Sequence, residues 1–174
     1  MGFGFAHYTA ATDITELELS GSGLRMSLAL GRALSSNVIL YGQFLAQSIS
    51  NPTVKVDGLN MGSTSSGGVD LIGFGPGLAY YFTESNIFVA ETVALSQVSG
   101  NDGFLVARES RWGASFTTFV GKEWWVSTNW GLGVSAQFTY GRIKGERPPF
   151  MPDNAAAPTW TTMSAGLLFS ASYN

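Results

Sequence analysis

Between residues 130 and 141 two kinds of side chain alternate without a break. Trp130, Leu132, Val134, Ala136, Phe138 and Tyr140 take one set of positions, and Gly131, Gly133, Ser135, Gln137, Thr139 and Gly141 take the other. Successive side chains of a strand point to opposite faces, so this period marks a strand with one apolar face. The pattern recurs as Leu24, Met26, Leu28 and Leu30 against Gly23, Arg25, Ser27, Ala29 and Gly31. It recurs again from Thr162 to Tyr173, where Leu168 is the exception.

A soluble sandwich and a membrane barrel both bury one face of such strands. The other face separates them. Here it consists of Gly, Ser, Thr and Gln, groups too small and too weakly charged for a solvent surface but suited to the narrow interior of a small barrel. Only 12% of the residues are charged, against the about 25% usual for a soluble domain, while 45% are apolar. These features predict a single domain, residues 1–174, folded as an all-β, eight-stranded, up-and-down antiparallel transmembrane barrel, apolar outside and polar inside. No run approaches the roughly 18 consecutive apolar residues of a membrane helix. Leu71 to Phe82, the best candidate, is broken by Gly73, Gly75, Pro76 and Gly77.

A short polar cluster occurs three times, as Leu34-Ser35-Ser36-Asn37-Val38, Thr83-Glu84-Ser85-Asn86-Ile87 and Val126-Ser127-Thr128-Asn129-Trp130. Ser, Thr and Asn bond to their own backbone and Asn tolerates the left-handed region, so each cluster is a tight hairpin turn. Longer polar segments, about 11–18, 51–68, 100–109 and 145–158, lie between them. Strands are expected near 2–10, 19–34, 38–50, 69–83, 87–99, 110–122, 130–144 and 159–173. Short turns at one end and long loops at the other fit a transmembrane barrel whose termini both lie on the short-turn, periplasmic side.

Aromatic residues gather near the strand ends, as interfacial girdles do. Tyr41, Phe88, Trp124, Trp130 and Tyr173 are expected at the short-turn interface, and Trp112, Tyr140 and Trp160 at the long-loop interface. By parity Arg25, Glu91, Glu109 and Arg111 point inward and form a polar network across the lumen. Pro76 has no N–H to give to a ladder, so a bulge or break is expected there.

With this layout the chain resembles the small outer-membrane barrels of Gram-negative bacteria, the class that includes the OmpA transmembrane domain and OmpX. Its last residues, Ser164 to Asn174, are similar to the C-terminal signal such proteins present to the outer-membrane assembly machinery: a polar residue, a Gly, spaced apolar groups and an aromatic. The chain ends in Asn, with Ala171 where a larger group is usual. The resemblance implies a bacterial outer-membrane location and contact with outer-membrane lipid and lipopolysaccharide. The opening residues carry no basic and apolar leader, which we read as a leader already removed, Met1 being an added start.

Catalytic chemistry has little material to work with. His7 is the single histidine and there is no cysteine. The segment His7-Tyr8-Thr9 places a hydroxyl near an imidazole, as in lipid A deacylases, but Thr replaces Ser and the segment lies early in the chain. Gly73-Phe74-Gly75-Pro76-Gly77 lacks the spacing of a phosphate loop. Asp13, Glu16, Glu18, Asp57 and Asp102 show no metal-ligand spacing. Neither metal nor cofactor is expected, and nine Lys and Arg residues make no basic stripe for nucleic acid. The expected function is that of a non-enzymatic barrel with a closed lumen. Its long loops would meet the cell surface or a membrane-protein partner and support envelope integrity. A lipid A-modifying enzyme and a narrow small-solute transporter are the alternatives.

Overall fold

Each of the three Asn-bearing clusters closes a hairpin through local bonds. Leu34 N–H donates to Val38 O at 2.8 Å, Asn86 N–H to Phe82 O at 2.8 Å, and Val126 N–H to Trp130 O at 2.9 Å. Asn86 takes the left-handed conformation, with φ of 53°. The other two asparagines act through their side chains instead: Asn37 Nδ2 donates to Tyr81 O at 2.9 Å, and Asn129 Nδ2 lies 3.5 Å from the Tyr173 hydroxyl. Both contacts tie a turn to the strand of a later hairpin.

The computed structural model describes residues 1–13, 15–64, 67–101, 110–146 and 157–173. These residues form β1 (Gly2–Ala11), β2 (Glu16–Ala33), β3 (Val38–Ser50), β4 (Thr53–Val56), β5 (Leu59–Ser63), β6 (Gly68–Phe82), β7 (Ile87–Asn101), β8 (Gly113–Trp125), β9 (Trp130–Lys144) and β10 (Thr159–Tyr173). Eight strands close a ring in the order β1-β10-β9-β8-β7-β6-β3-β2, with β2 returning to β1, and every pairing is antiparallel. Among the described residues no helix is long and apolar enough to cross a membrane.

Registers are staggered around the ring. Starting at Arg32, successive partners are Leu40, Leu78, Glu91, Thr118, Phe138, Ala165 and Phe5, and Phe5 pairs with Ser22 on β2, well toward the long-loop end from Arg32. Such a shear tilts the strands against the barrel axis and sets the bore. In β1, Gly2 lies opposite Arg25 and Leu168, so the stretch of β2 beyond Arg25 has no β1 residue beside it. Ala29, Gly31 and Ala33 belong to the inward set by parity and are exposed there.

The expected strands are present, with shifted ends. β2 begins at Glu16, and β8 begins at Gly113, with Ser110 making only an isolated bridge to Gly145. Segment 51–68, expected as a loop, contains the β4–β5 hairpin. Asp57 and Gly58 take φ of 49° and 78° at its turn, the conformation of a primed hairpin turn, for which Asp-Gly is a preferred pair. Asp57 Oδ1 accepts from Glu16 N–H at 2.8 Å, and β4 pairs with Leu17 to Ser20 of β2. β2, β4 and β5 thus form a fin rising from the long-loop end of the ring.

At Pro76 the ladder breaks without a bulge. Pairing between β6 and β7 lapses between Phe74↔Leu95 and Gly77↔Thr92, yet the register is the same on both sides. The missing N–H costs a ladder bond but not an extra residue.

Candidate functional site

The lumen is the natural place to look for a site, and it is filled in three layers. Nearest the short turns, Tyr41, Ala79, Phe88, Ala90, Phe119 and Leu168 form one apolar cluster, with Tyr81 stacked on Phe88 at 5.4 Å between ring centroids. Glycine makes room for these rings: a Cβ on Gly77 would lie 2.4 Å from the Tyr41 ring, and one on Gly121 2.6 Å from the Phe88 ring. Nearest the long loops, Tyr8, Leu45, Ile49, Leu71, Ile143 and Trp160 belong to a second apolar cluster. Trp160 is 1% exposed.

Between the two, and reaching into the second, lies a belt of hydrogen-bonded polar groups. The Tyr41 hydroxyl meets Thr92 Oγ1 at 2.9 Å, Thr92 Oγ1 donates to Gln43 Oε1 at 2.6 Å, and Gln43 Nε2 donates to Ser27 Oγ at 2.6 Å. Ser96 pairs with Ser115 at 2.6 Å, Thr117 with Thr139 at 3.0 Å, and Gln137 Nε2 donates to Thr139 Oγ1 at 3.1 Å. Gln47 donates to the Tyr8 hydroxyl. Inside a low-dielectric wall these side chains bond to one another, as buried polar groups generally do, with Gln137 Oε1 left over. The interior therefore mixes large apolar clusters with polar groups, where a polar inside was expected.

Among the described residues the expected charged network does not assemble. Arg25 points inward and is 2% exposed. Glu91 does not: on β7 the buried set is Phe88, Ala90, Thr92, Ala94, Ser96 and Val98, which places Glu91 on the outer face with Val93 and Leu95. Its Oε2 accepts from Thr118 Oγ1 of the neighbouring strand at 2.8 Å. Arg111 is exposed, because the chain turns out of register just before β8 and buries Ser110 instead. Ser110 Oγ accepts from Val98 N–H at 2.8 Å, which holds that turn. Glu109 lies outside the described residues. The acid that does point inward near the short turns is Glu123, 6% exposed and beside Tyr81. The parity of β8, with Thr117 and Phe119 also inward, was the signal that locates it.

Three of the expected interfacial aromatics face the lumen. Tyr41 and Phe88 are each 9% exposed and Trp160 is nearly sealed, because all three share parity with inward neighbours such as Gln43, Thr92 and Thr162. Trp112, Trp124, Trp130, Tyr140 and Tyr173 are exposed on the outer side. Trp130 and Tyr173 meet edge to face at 5.3 Å, Trp112 packs on Phe74 at 5.4 Å, and Lys122 Nζ stands 6.0 Å from the Trp124 ring.

At the long-loop end of β1, His7 and Thr9 meet Glu18 and Lys55. Thr9 Oγ1 lies 3.2 Å from His7 Nε2, and Glu18 Oε2 lies 4.0 Å from the same nitrogen. A nucleophile–His–acid relay places the nucleophile on one ring nitrogen and the acid on the other. Both contacts here fall on Nε2, and Glu18 also faces Lys55 Nζ at 3.9 Å. No group of three or more potential metal ligands occurs among the described residues.

No protein-family model matches the chain, and no curated protein matches it in sequence. Solved structures do match in shape. The crystal structure of Neisserial surface protein A is similar over 99% of this chain and 95% of its own, with TM-score 0.54 and 15% identity. The outer membrane protein OprG from Pseudomonas aeruginosa aligns over 99% and 96% of the two chains, with TM-score 0.49 and 12% identity. The outer membrane protein AlkL, solved by solid-state NMR in lipid bilayers, aligns over 100% and 90%, with TM-score 0.47 and 12% identity. The likeness to the neisserial protein, together with the closed ring of eight antiparallel strands, defines the fold: that of a small outer-membrane β-barrel.

Proposed function

We propose that the chain is an integral, non-enzymatic protein of the bacterial outer membrane, with both termini in the periplasm and a closed lumen. Its loops and the β2–β4–β5 fin stand at the cell surface, where they meet lipopolysaccharide or a membrane-protein partner and support the envelope. The observation that carries this reading is inverted polarity around a filled interior. Leu132, Val134, Phe138, Leu167 and Phe169 are exposed on the outside while Gln43, Gln47, Thr117, Gln137 and Thr139 are buried within. An apolar outer band over a polar inner belt is stable only where lipid replaces water. The C-terminal strand, with Leu167, Phe169 and Tyr173 on its outer side, is the segment we assign to recognition by the assembly machinery.

Closure separates this reading from a transporter. What supports closure is that large apolar side chains fill the lumen toward both ends, Tyr41, Phe88 and Phe119 in one cluster and Tyr8, Ile143 and Trp160 in the other. Purified protein in a planar bilayer is expected to give no sustained single-channel conductance. Reproducible conductance abolished by a bulky group at Gly133 would replace the closed barrel with a pore. Orientation is checked separately: protease added to intact cells is expected to spare the turns at Asn37, Asn86 and Asn129.

A further inference from the structure

Arg25 carries a charge that no described side chain neutralises. The side chain is 2% exposed and lies across a floor made by two glycines of adjacent strands: a Cβ on Gly4 would come 2.3 Å from Arg25 Nε, and one on Gly166 2.8 Å. Its Nη2 donates to Phe5 O at 3.0 Å, while Nε and Nη1 are buried with no hydrogen-bond partner. The ion pairs among the described residues are His7–Glu18 and Lys55–Glu18, so no described carboxylate lies within ion-pair distance of the guanidinium. A guanidinium does not escape this by losing its proton, and a buried charge left unpaired is strongly destabilising.

Other unpartnered atoms lie along the same part of the wall. Gln137 pairs in register with Gly166, the glycine beneath Arg25, and its Oε1 has no partner. Thr162 pairs with Tyr8 on β1, and its Oγ1 is likewise buried without a partner. The orientation of a Gln amide is an assignment rather than an observation. Turned over, Gln137 accepts a hydrogen bond from Thr139 Oγ1 and presents its N–H groups to the interior. The Thr162 hydroxyl turns to donate as readily as to accept. Arg25 and Gln137 then present donors to one layer of the lumen, while Thr162, four residues along β10 from Gly166 and level with Tyr8, lies nearer the long loops.

We propose that this layer holds one small inorganic anion of halide size against Arg25. Water in the same place would satisfy the donors but leave the net charge in a low-dielectric interior; an anion does both. The charge is thus neutralised by an ion taken up as the barrel closes, and not by a side chain.

Crystals of the purified protein grown with bromide in place of chloride test the site directly. One ordered bromide within contact distance of the Arg25 guanidinium is the expected result. Water alone at that position, or an adventitious ion only on the outer surface, overturns the proposal. In detergent solution at fixed ionic strength, the parent is expected to show a higher Tm in chloride than in gluconate, an anion too large for the layer. That shift is expected to persist in Arg25→Lys and vanish in Arg25→Gln. Equal shifts in the parent and Arg25→Gln overturn it. If neither variant folds, the bromide position in the parent decides.

Discussion

The outer face of β9 and the outer face shared by β7 and β8 sit on the same barrel and are built differently. On β9 exposed and buried positions alternate through the whole strand, and the exposed set from Trp130 to Tyr140 is entirely apolar. Across β7 and β8 the exposed set includes Val93, Leu95, Phe116 and Val120, but a carboxyl group and a hydroxyl, Glu91 and Thr118, are set among them and bonded to each other. In lipid each of these groups lacks water as a partner, so each serves the other. An apolar face is thus a matter of pairing as well as composition: two polar side chains opposite one another in register are tolerated where one alone is costly.

The comparison breaks most readily at the centre of β9. Val134→Arg places an unpaired cation on the uniform face and is expected to lower folding stability in vesicles by about 2–4 kcal/mol, measured by denaturant titration. Unchanged stability would mean that this face does not meet lipid. Glu91→Leu makes the β7–β8 face resemble that of β9. It is expected to raise stability by about 1 kcal/mol, the smaller cost of an acidic group in lipid offset in part by the bond to Thr118. A loss of more than that amount would return Glu91 to the lumen.

Thr118→Val sharpens the point. It removes the donor and is expected to cost about 1 kcal/mol in the parent, and nothing in a Glu91→Leu background. Equal costs in both backgrounds would show that the two side chains act independently. The smallest effect belongs to the inner face of β9. Ser135→Ala is expected to stay within about 0.5 kcal/mol, since the buried Ser135 hydroxyl takes no part in the belt's hydrogen bonds.

Much of this was legible in the sequence where whole runs agree. The period of residues 130–141 and the three Asn-bearing clusters located the strands of β9 and the three tight turns to within a residue or two. The β4–β5 hairpin was also legible and was passed over: Asp57-Gly58 between Val54, Val56, Leu59 and Met61 is a hairpin signal, hidden by the polar residues around it. Glu91 was misread because its acid group was weighed alone. Its parity companions Ile87, Val89, Val93 and Leu95 are larger and more apolar than the opposite set, and they decide the face.

By itself, then, the amino-acid sequence determined the strands, their turns and the existence of one apolar and one small, polar face, because strand periodicity is local and every residue of a run votes on it. Only closure of the ring decided the rest. Tyr41, Phe88 and Trp160 lie near strand ends, as girdle residues do, yet they fill the lumen, and the stagger of registers around the wall sets which inward groups share a layer. That stagger depends on pairing between residues far apart in the chain. It gathers aromatic and aliphatic side chains into two clusters, sets most hydroxyl and amide groups between or beside them, and lays Arg25 over Gly4 and Gly166 with no described acid in ion-pair reach.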